Sequence, residues 1–210
     1  MRQAIYQQLD LLEGPVSKRM EDLIDEALES LGRLARPRWT YRVYSLEDPR
    51  LKKLLQGGDL ADLLRGASQG VVYLGSLGFE VDREEGRLAC LSVERAWVYQ
   101  GVASVYLARE EALWKGGLAR EFSPLYATDS FSPGYGDFPL ACQEEIFKLV
   151  PGQEVGVSLL SSGLMRPLKS KSGIFGLSKK EPVHRHRGCG TCLLRKTCQL
   201  KTQGRVCSYG

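Results

Sequence analysis

The sequence predicts an α+β fold for most of its 210 residues, and two observations support this class. Segments with helical and strand patterns alternate irregularly, without the regular spacing of repeated βαβ units. The composition, 43% hydrophobic and 26% charged, is that of an ordinary globular protein. The length suits one domain with a sizeable core or one domain plus a small appendix, and no internal repeat interrupts it.

The first part of the chain predicts a helix followed by a strand. Apolar residues recur at helical spacing through residues 17–35, and Ser17 after Pro15 is a suitable N-cap. Pro37 ends this pattern. The next segment, "WTYRVYSL", is rich in the β-branched and aromatic residues that favour a strand.

The middle of the chain is predicted to be mainly helical, with one buried strand. "PRLKKLL" and "DLADLLRGA" predict short helices separated by Gly57 and Gly58, and "GVVYLGSLGF" predicts a buried strand. Residues 87–120 predict one long helix or two successive helices. Gly101 within them would allow close packing against a neighbouring element.

The last part of the body begins with a loop, "SFSPGYGDFPLACQ", residues 130–143. "PLACQEEIFKLV" then predicts a helix with Pro139 at its first position, where proline is tolerated. "EVGVSLL" and "KSGIFGLS" are strand candidates on either side of the loop "SSGLMRP".

The loop combines residues that no helix or strand favours, since Pro133 lacks an N–H and two glycines flank Tyr135. Glycines on both sides of an aromatic residue let backbone amides approach a ligand closely. Asp137 supplies a carboxylate that can accept hydrogen bonds from an amine or a ribose. A dinucleotide fingerprint is absent. The loop is therefore either a ligand site or a polar turn that packs Tyr135.

The charge is divided unevenly along the chain. Residues 166–210 contain 11 Lys and Arg against one acid, Glu181, whereas the preceding residues are acidic overall. Such asymmetry indicates binding to nucleic acid, binding to an acidic partner, or positive charge that offsets the negative charge of metal-bound thiolates. Nucleic-acid binding is the weakest of these interpretations, because Tyr209 is the one aromatic residue after Phe175 available for stacking.

The sequence shows no secretory signal and no membrane segment. Its longest charge-free apolar stretch, "AWVYQGVASVYLA", is shorter than the roughly 20 residues that span a bilayer. We therefore expect a cytoplasmic protein.

Six cysteines fall into two groups. Cys90 and Cys142 stand alone and predict buried small apolar side chains. The other four share the spacing C-x2-C-x5-C-x8-C, and clustered thiols in a cytosolic chain favour a metal centre. Zinc and an iron–sulfur cluster both accept four thiolates, so both stay open. The predicted basic tail is residues 179–210, with the metal ligands Cys189, Cys192, Cys198 and Cys207.

Several segments in order carry a family resemblance. "TYRVYSL", "YLGSLGFEVD", "SPGYGDFPLACQEEIF" and "VGVSLLSSGLMRPLKSKSGIFGL" together resemble the reactivation domain of cobalamin-dependent methionine synthase. The resemblance is closer to the short free-standing relatives of that domain in anaerobic bacteria, and it covers residues 1–178. Its most specific pieces are Pro133-Gly134-Tyr135 and the later runs Met165-x-Pro167 and Ser170-x-Ser172-Gly173.

The resemblance implies a C-shaped domain with a twisted, mainly antiparallel sheet, flanking helices and an S-adenosylmethionine site. It implies a methyltransferase-type component of methionine biosynthesis, which reductively reactivates a cobalamin held by a partner methionine synthase or another corrinoid protein, with a separate electron donor. The chemistry needs mainly orientation of two reactive groups, so no catalytic side chain is assigned. The expected S-adenosylmethionine-binding residues are Ser132, Pro133, Gly134, Tyr135, Asp137, Ser172 and Gly173.

Two departures from the family pattern leave an alternative open. The family carries an arginine three residues before the proline, where it would bind the ligand carboxylate, but this chain has Ser130. A hydroxyl cannot replace a bidentate guanidinium. Tyr106 stands where relatives carry a glutamate. The alternative is a non-catalytic adaptor for a corrinoid protein, or an electron-transfer module with a cysteine-bound metal.

Overall fold

The computed structural model describes residues 1–12, 14–55 and 58–181. Seven α-helices and six strands are found among them. The helices are α1 (Arg2–Gln8), α2 (Lys18–Leu34), α3 (Pro49–Lys52), α4 (Gly58–Leu63), α5 (Phe79–Leu91), α6 (Val93–Glu121) and α7 (Cys142–Leu149). The strands are β1 (Arg38–Ser45), β2 (Ala67–Ser76), β3 (Tyr126–Ala127), β4 (Ser158–Leu159), β5 (Met165–Arg166) and β6 (Ser170–Ser178).

The main sheet has four antiparallel strands in the order β1-β2-β6-β3, and β4 pairs with β5 in a separate ribbon. β2 and β6 lie in the centre of the sheet, and residues 70–76 of β2 and 172–178 of β6 are buried on both faces. The predicted α+β class, with an antiparallel sheet and flanking helices, is confirmed.

The two faces of the sheet carry different layers. On one face Val72, Leu74 and Ile174 pack into a core with α3, α4 and α7. On the other face Tyr73 and Phe175 pack against the C-terminal half of α6. Since side chains alternate along a strand, neighbouring residues of β6 point into different layers. This alternation decides which β6 residues can approach α6.

The helix boundaries follow local capping chemistry. Ser17 accepts a hydrogen bond from the Met20 amide at 3.3 Å and begins α2, as predicted. The predicted helical region 87–120 is two helices, because extended Ser92 ends α5 and its hydroxyl caps α6 through the Arg95 amide at 3.3 Å.

Gly101 lets α1 approach α6 closely. A Cβ at this position would lie 2.5 Å from Leu9 Cδ2, closer than two carbon atoms can pack. The predicted close approach is confirmed. It joins α1 to a core shared with α2, α5 and α6.

Three sequence expectations were wrong. Pro139 is not the first residue of α7; its carbonyl accepts from the Cys142 amide at 3.0 Å in a turn, and the helix begins at Cys142. Cys90 is exposed near the end of α5 rather than buried. "EVGVSLL" forms a strand only at Ser158–Leu159, because Gly152–Val155 is a 3-10 helix that ends at left-handed Gly156.

No helix in the described ranges is both long enough and apolar enough to cross a membrane.

Candidate ligand site

The predicted ligand loop is anchored on strand β6. Phe131 and Ile174 exchange two backbone hydrogen bonds, each 2.8 Å long, so the loop starts as an extra bridge at the sheet edge. Ser132 then donates its hydroxyl hydrogen to the Ser172 carbonyl at 2.7 Å. The sequence analysis placed these two regions in one site although about 40 residues separate them, and the structure brings them into contact.

The turn itself is compact and has an exposed tip. The Gly134 amide donates to the Phe138 carbonyl at 2.8 Å, and the Phe138 amide donates to the Tyr135 carbonyl at 3.0 Å. Gly134 has φ +91° with only ordinary contacts around it, so the backbone conformation itself requires glycine. Pro133 and Phe138 are buried, whereas Tyr135 is 43% exposed. The buried residues fix the turn and leave the tyrosine at its surface.

Asp137 is engaged with helix α4. Its carboxylate accepts hydrogen bonds from the amides of Gly58 at 2.6 Å and Asp59 at 3.2 Å, which are the first N–H groups of that helix. The Asp59 carboxylate in turn accepts a hydrogen bond from the Asp137 amide at 3.3 Å. The first amides of a helix lack intrahelical partners, so Asp137 caps α4 from a distant part of the chain.

Ser172 and Gly173 lie on β6 beneath the loop and point in opposite directions. The Ser172 hydroxyl donates to Gln143 Oε1 at 2.9 Å, between the sheet and α7. A Cβ on Gly173 would lie 2.6 Å from the Tyr73 hydroxyl, so this glycine makes room for the tyrosine of the neighbouring strand. Both residues support the loop from within the sheet.

A buried polar cluster lies on the α6 side of the sheet. Glu111, 8% exposed, accepts a hydrogen bond from the Tyr73 hydroxyl and pairs with the Lys171 ammonium at 2.5 Å. Burial and then the charge of Glu111 raise the pKa of Tyr73 well above its ordinary value. Hydrogen bonding to the hydroxyls of Ser130 and Ser132 opposes this rise in the pKa of Tyr73.

Lys115 lies one helical turn beyond Glu111 and reaches the start of the loop. Its ammonium donates to the Thr128 carbonyl at 2.6 Å and to the Ser130 hydroxyl at 2.9 Å. It also lies 4.6 Å from the centre of the Phe175 ring, within the range of a cation–π interaction. A lysine from α6 therefore contacts Ser130, at the position where the sequence resemblance leads one to expect an arginine.

The sequence analysis missed Glu111, Lys115 and Lys171. One signal was present: Glu111 and Lys115 are four residues apart and must share a helix face. That face also carries Trp114 and Leu118, which pack on the sheet. A charged pair beside an apolar stripe indicates charges at the edge of a buried face.

The predicted metal ligands Cys189, Cys192, Cys198 and Cys207, like the basic tail around them, lie outside the described residues. Within the described part of the chain, no group of three or more His, Cys, Asp or Glu side chains is arranged to hold a metal ion. The metal-centre expectation therefore stays a prediction.

Two cavities of the described structure lie away from the loop. One, about 190 Å³, is lined by α2, α5 and α6 and includes the buried hydroxyls of Ser30 and Tyr99. The other, an open groove of about 640 Å³, runs along the end of α6 and residues 123–127. The candidate site is an exposed turn beside the buried polar cluster of Tyr73, Glu111 and Lys171.

Comparison with known proteins gives a likeness at the level of the fold. No protein-family profile and no curated protein matches the sequence. Eleven chains of solved structures do match. One of these structures is the MetH reactivation domain bound to AdoHcy, with a TM-score of 0.51 and 14% sequence identity; the match covers 93% of this chain and 76% of that chain.

This likeness gives the class of fold, which is that of the reactivation domain. The turn on β6 and the polar cluster of Tyr73, Glu111 and Lys171 lie within this fold. At 14% identity it shows the fold alone. The fold relationship expected from the sequence motifs is confirmed.

Proposed function

We propose that this protein binds S-adenosylmethionine and supplies its methyl group to a corrinoid carried by a partner protein, reactivating that partner. The partner would be a cobalamin-dependent methionine synthase or another corrinoid methyltransferase, in the cytoplasm. One observation carries the proposal: the exposed turn at Pro133–Tyr135 is fixed on β6 in a fold similar to that of a domain solved with AdoHcy.

The turn fits one part of such a ligand. The sulfonium of S-adenosylmethionine is a cation, and the face of an aromatic ring attracts cations. Tyr135 presents its side chain at the surface of the turn, next to the unsubstituted backbone of Gly134 and Gly136. We assign the ligand contacts to Ser132, Pro133, Gly134 and Tyr135.

The other three residues in the expected site support the turn in this proposal. Asp137 holds the loop on α4, Ser172 accepts the Ser132 hydroxyl through its carbonyl, and Gly173 makes room for Tyr73. Each of them acts by fixing the position of the turn. This division is a proposal that stability and binding measurements can separate.

The proposed methyl transfer requires little catalytic assistance from side chains. A strongly reduced corrinoid is itself a nucleophile and the sulfonium is a good leaving group, so the protein mainly aligns the two. The methyl group leaves sulfur, S-adenosylhomocysteine remains, and one electron from a separate reductant brings the inactive corrinoid to its reactive state. No acid, base or nucleophile of this chain is needed for that transfer.

We further propose that the C-terminal cysteines hold an iron–sulfur cluster or zinc. A cluster would fit the need for a low-potential electron, whereas zinc would only order the tail.

A second candidate function is a non-catalytic adaptor that docks on a corrinoid protein or passes electrons to it. Ser130 favours it, because a hydroxyl replaces the charged group expected to hold the ligand. Binding of S-adenosylmethionine distinguishes the two functions, because only the first requires it.

The test is reductive methylation in a purified system. A cobalamin-loaded partner, a low-potential reductant and methyl-labelled S-adenosylmethionine are incubated with this protein, and the label on cobalamin is counted. We expect labelled methylcobalamin only in the complete mixture, and a large reduction with Tyr135→Ala. Tyr126→Ala is the matched control, because Tyr126 is equally exposed, at 47%, but lies on β3. Binding of the partner without label transfer would support the adaptor instead.

A further inference from the structure

We propose that the cavity between α2, α5 and α6 binds a small neutral molecule that joins a carboxamide group to an apolar ring. This cavity, of about 190 Å³, lies away from the turn at Pro133–Tyr135. The proposal does not depend on the proposed function, because the cavity shares no residue with the turn or with its anchors.

Two buried hydroxyls line this cavity. Ser30 is 6% exposed and Tyr99 is 1% exposed, and within the described part of the chain neither hydroxyl oxygen has a hydrogen-bond partner. Burial raises the pKa of Tyr99 to about 12, and the Ser30 hydroxyl opposes this rise only in part. An unpaired hydroxyl is costly to bury, so a molecule that pairs with both oxygens would bind favourably.

The size and the walls of the cavity suit an apolar ring. A single water needs only about 10–15 Å³, whereas an apolar cavity of about 150 Å³ can hold benzene. The cavity here is larger than that. Its lining includes the buried apolar side chains of Leu23 and Ala27 on α2 and Leu88 on α5. A six-membered ring with one small substituent therefore fits its volume.

The charges of the lining favour a neutral ligand. Acids and arginines are equal in number, so the lining has no net charge: Glu26, Glu29, Glu84, Arg33, Arg87 and Arg95. Arg87 donates to both carboxylate oxygens of Glu84, at 2.7 and 2.8 Å. Arg95 pairs with Glu26 at 3.0 Å. A charged ligand would have to break such a pair to find a partner of its own.

The chemistry of the two hydroxyls favours a carboxamide as the neutral group. Each hydroxyl can both donate and accept a hydrogen bond. A primary carboxamide has a carbonyl acceptor and two N–H donors, so it can pair with Ser30 and Tyr99 whichever way their O–H bonds turn. A carboxylate of the same shape can only accept, and it brings a charge that the lining does not balance.

The experiment is an NMR titration of the whole chain with benzamide and with benzoate, which share a ring and differ in the carboxamide. Benzamide should shift the resonances of residues around the cavity on α2, α5 and α6, with a Kd on the order of 1 mM or tighter. Benzoate should bind at least about tenfold more weakly, because its charge has no free partner in the cavity.

Two variants test the assigned contacts. Tyr99→Phe and Ser30→Ala should each weaken benzamide binding about threefold to tenfold, the usual effect of losing a neutral hydrogen bond. Tyr126→Phe is the matched control, because it removes the hydroxyl of a tyrosine that is 47% exposed on β3 and should not change the affinity. Without ligand, Tyr99→Phe should be at least as stable to heat as the wild type, since the lost hydroxyl is unpaired.

Four outcomes would overturn the proposal. If benzamide shifts no resonance around the cavity, water alone serves the two hydroxyls. Equal affinity for benzamide and benzoate would contradict the preference for a neutral ligand. Unchanged benzamide affinity in both variants would contradict the assigned contacts, and a strongly destabilised Tyr99→Phe protein would show that the hydroxyl has a structural partner. None of these outcomes bears on the proposed function, whose ligand binds at the turn.

Discussion

The Asp137 carboxylate accepts the amide hydrogen of Gly58 at 2.6 Å, which joins the candidate ligand loop to the first turn of α4. The loop is therefore held at two places, on α4 through Asp137 and on β6 through Ser132. The turn between these anchors has a fixed position although its tip is exposed.

Replacing Asp137 by Ala should lower the free energy of unfolding by about 1 kcal/mol, the usual cost of losing a helix cap. Chemical denaturation measures this change. Asp62→Ala is the control: within the described ranges the Asp62 carboxylate forms an exposed pair with Arg65, so its loss should cost a few tenths of a kcal/mol at most. A strong loss of S-adenosylhomocysteine affinity with normal stability would show instead that Asp137 contacts the ligand.

Gly173→Ala should destabilise the protein by about 1–3 kcal/mol, because the added methyl group would lie 2.6 Å from the Tyr73 hydroxyl. Gly116→Ala makes the same chemical change within α6 where nothing lies within 4 Å. It should stabilise the protein by about 0.5–1 kcal/mol through helix propensity. Thermal unfolding of both variants checks the prediction, and a stable Gly173→Ala protein would contradict the packing described for Tyr73.

Stability should depend on alkaline pH through Tyr73. Burial and Glu111 raise the pKa of Tyr73 above its ordinary value of 10.0, so the folded protein holds this proton more tightly than the unfolded chain. The resulting stabilisation is complete below the unfolded pKa and is lost as the pH rises toward the folded pKa.

The measurement compares the wild type with Tyr73→Phe by urea unfolding from about pH 8 to about pH 11. The wild type should be the more stable protein at the lower pH, and the difference should shrink as the pH rises. Tyr99, whose pKa burial raises to about 12, is present in both proteins and cancels. If the difference in free energy of unfolding between the two proteins stays constant with pH, the raised pKa of Tyr73 is contradicted.

The cysteine tail should bind one metal centre. Anaerobic purification followed by metal and sulfide analysis should find either iron with acid-labile sulfide or stoichiometric zinc. Removing residues 179–210 should leave S-adenosylmethionine affinity largely intact, because the proposed contacts all lie in the loop. Metal-free protein with disulfides among the four cysteines would refute both versions of the metal centre.

Much of the fold could be predicted because the local signals agree with the tertiary structure. The helical spacing of apolar residues and the Ser17 cap predict α2. The run of apolar residues in β2 predicts a buried strand. Helix α1 was not predicted, since seven residues with one fully buried side chain, Ile5, carry almost no periodic signal. Its position depends on Gly101, which lies far away in the sequence.

The candidate site was predictable only where its residues form a motif. Gly134 requires a left-handed backbone conformation, and that requirement is visible as a glycine between proline and tyrosine. Asp137 as a cap for α4 and Lys115 as a neighbour of Ser130 arise from contacts between distant segments. No local pattern encodes such contacts, so they could be found only in the folded structure.

The central claim is that the turn on β6 binds S-adenosylmethionine, and hydrogen–deuterium exchange tests it most directly. With saturating S-adenosylhomocysteine, peptides covering residues 128–139 should become more protected, because ligand contacts hold the turn and its backbone amides. Peptides covering α2 and α5, which line the separate cavity, should not change. Protection confined to residues 84–99, or no protection anywhere with a large excess of ligand, would contradict the account.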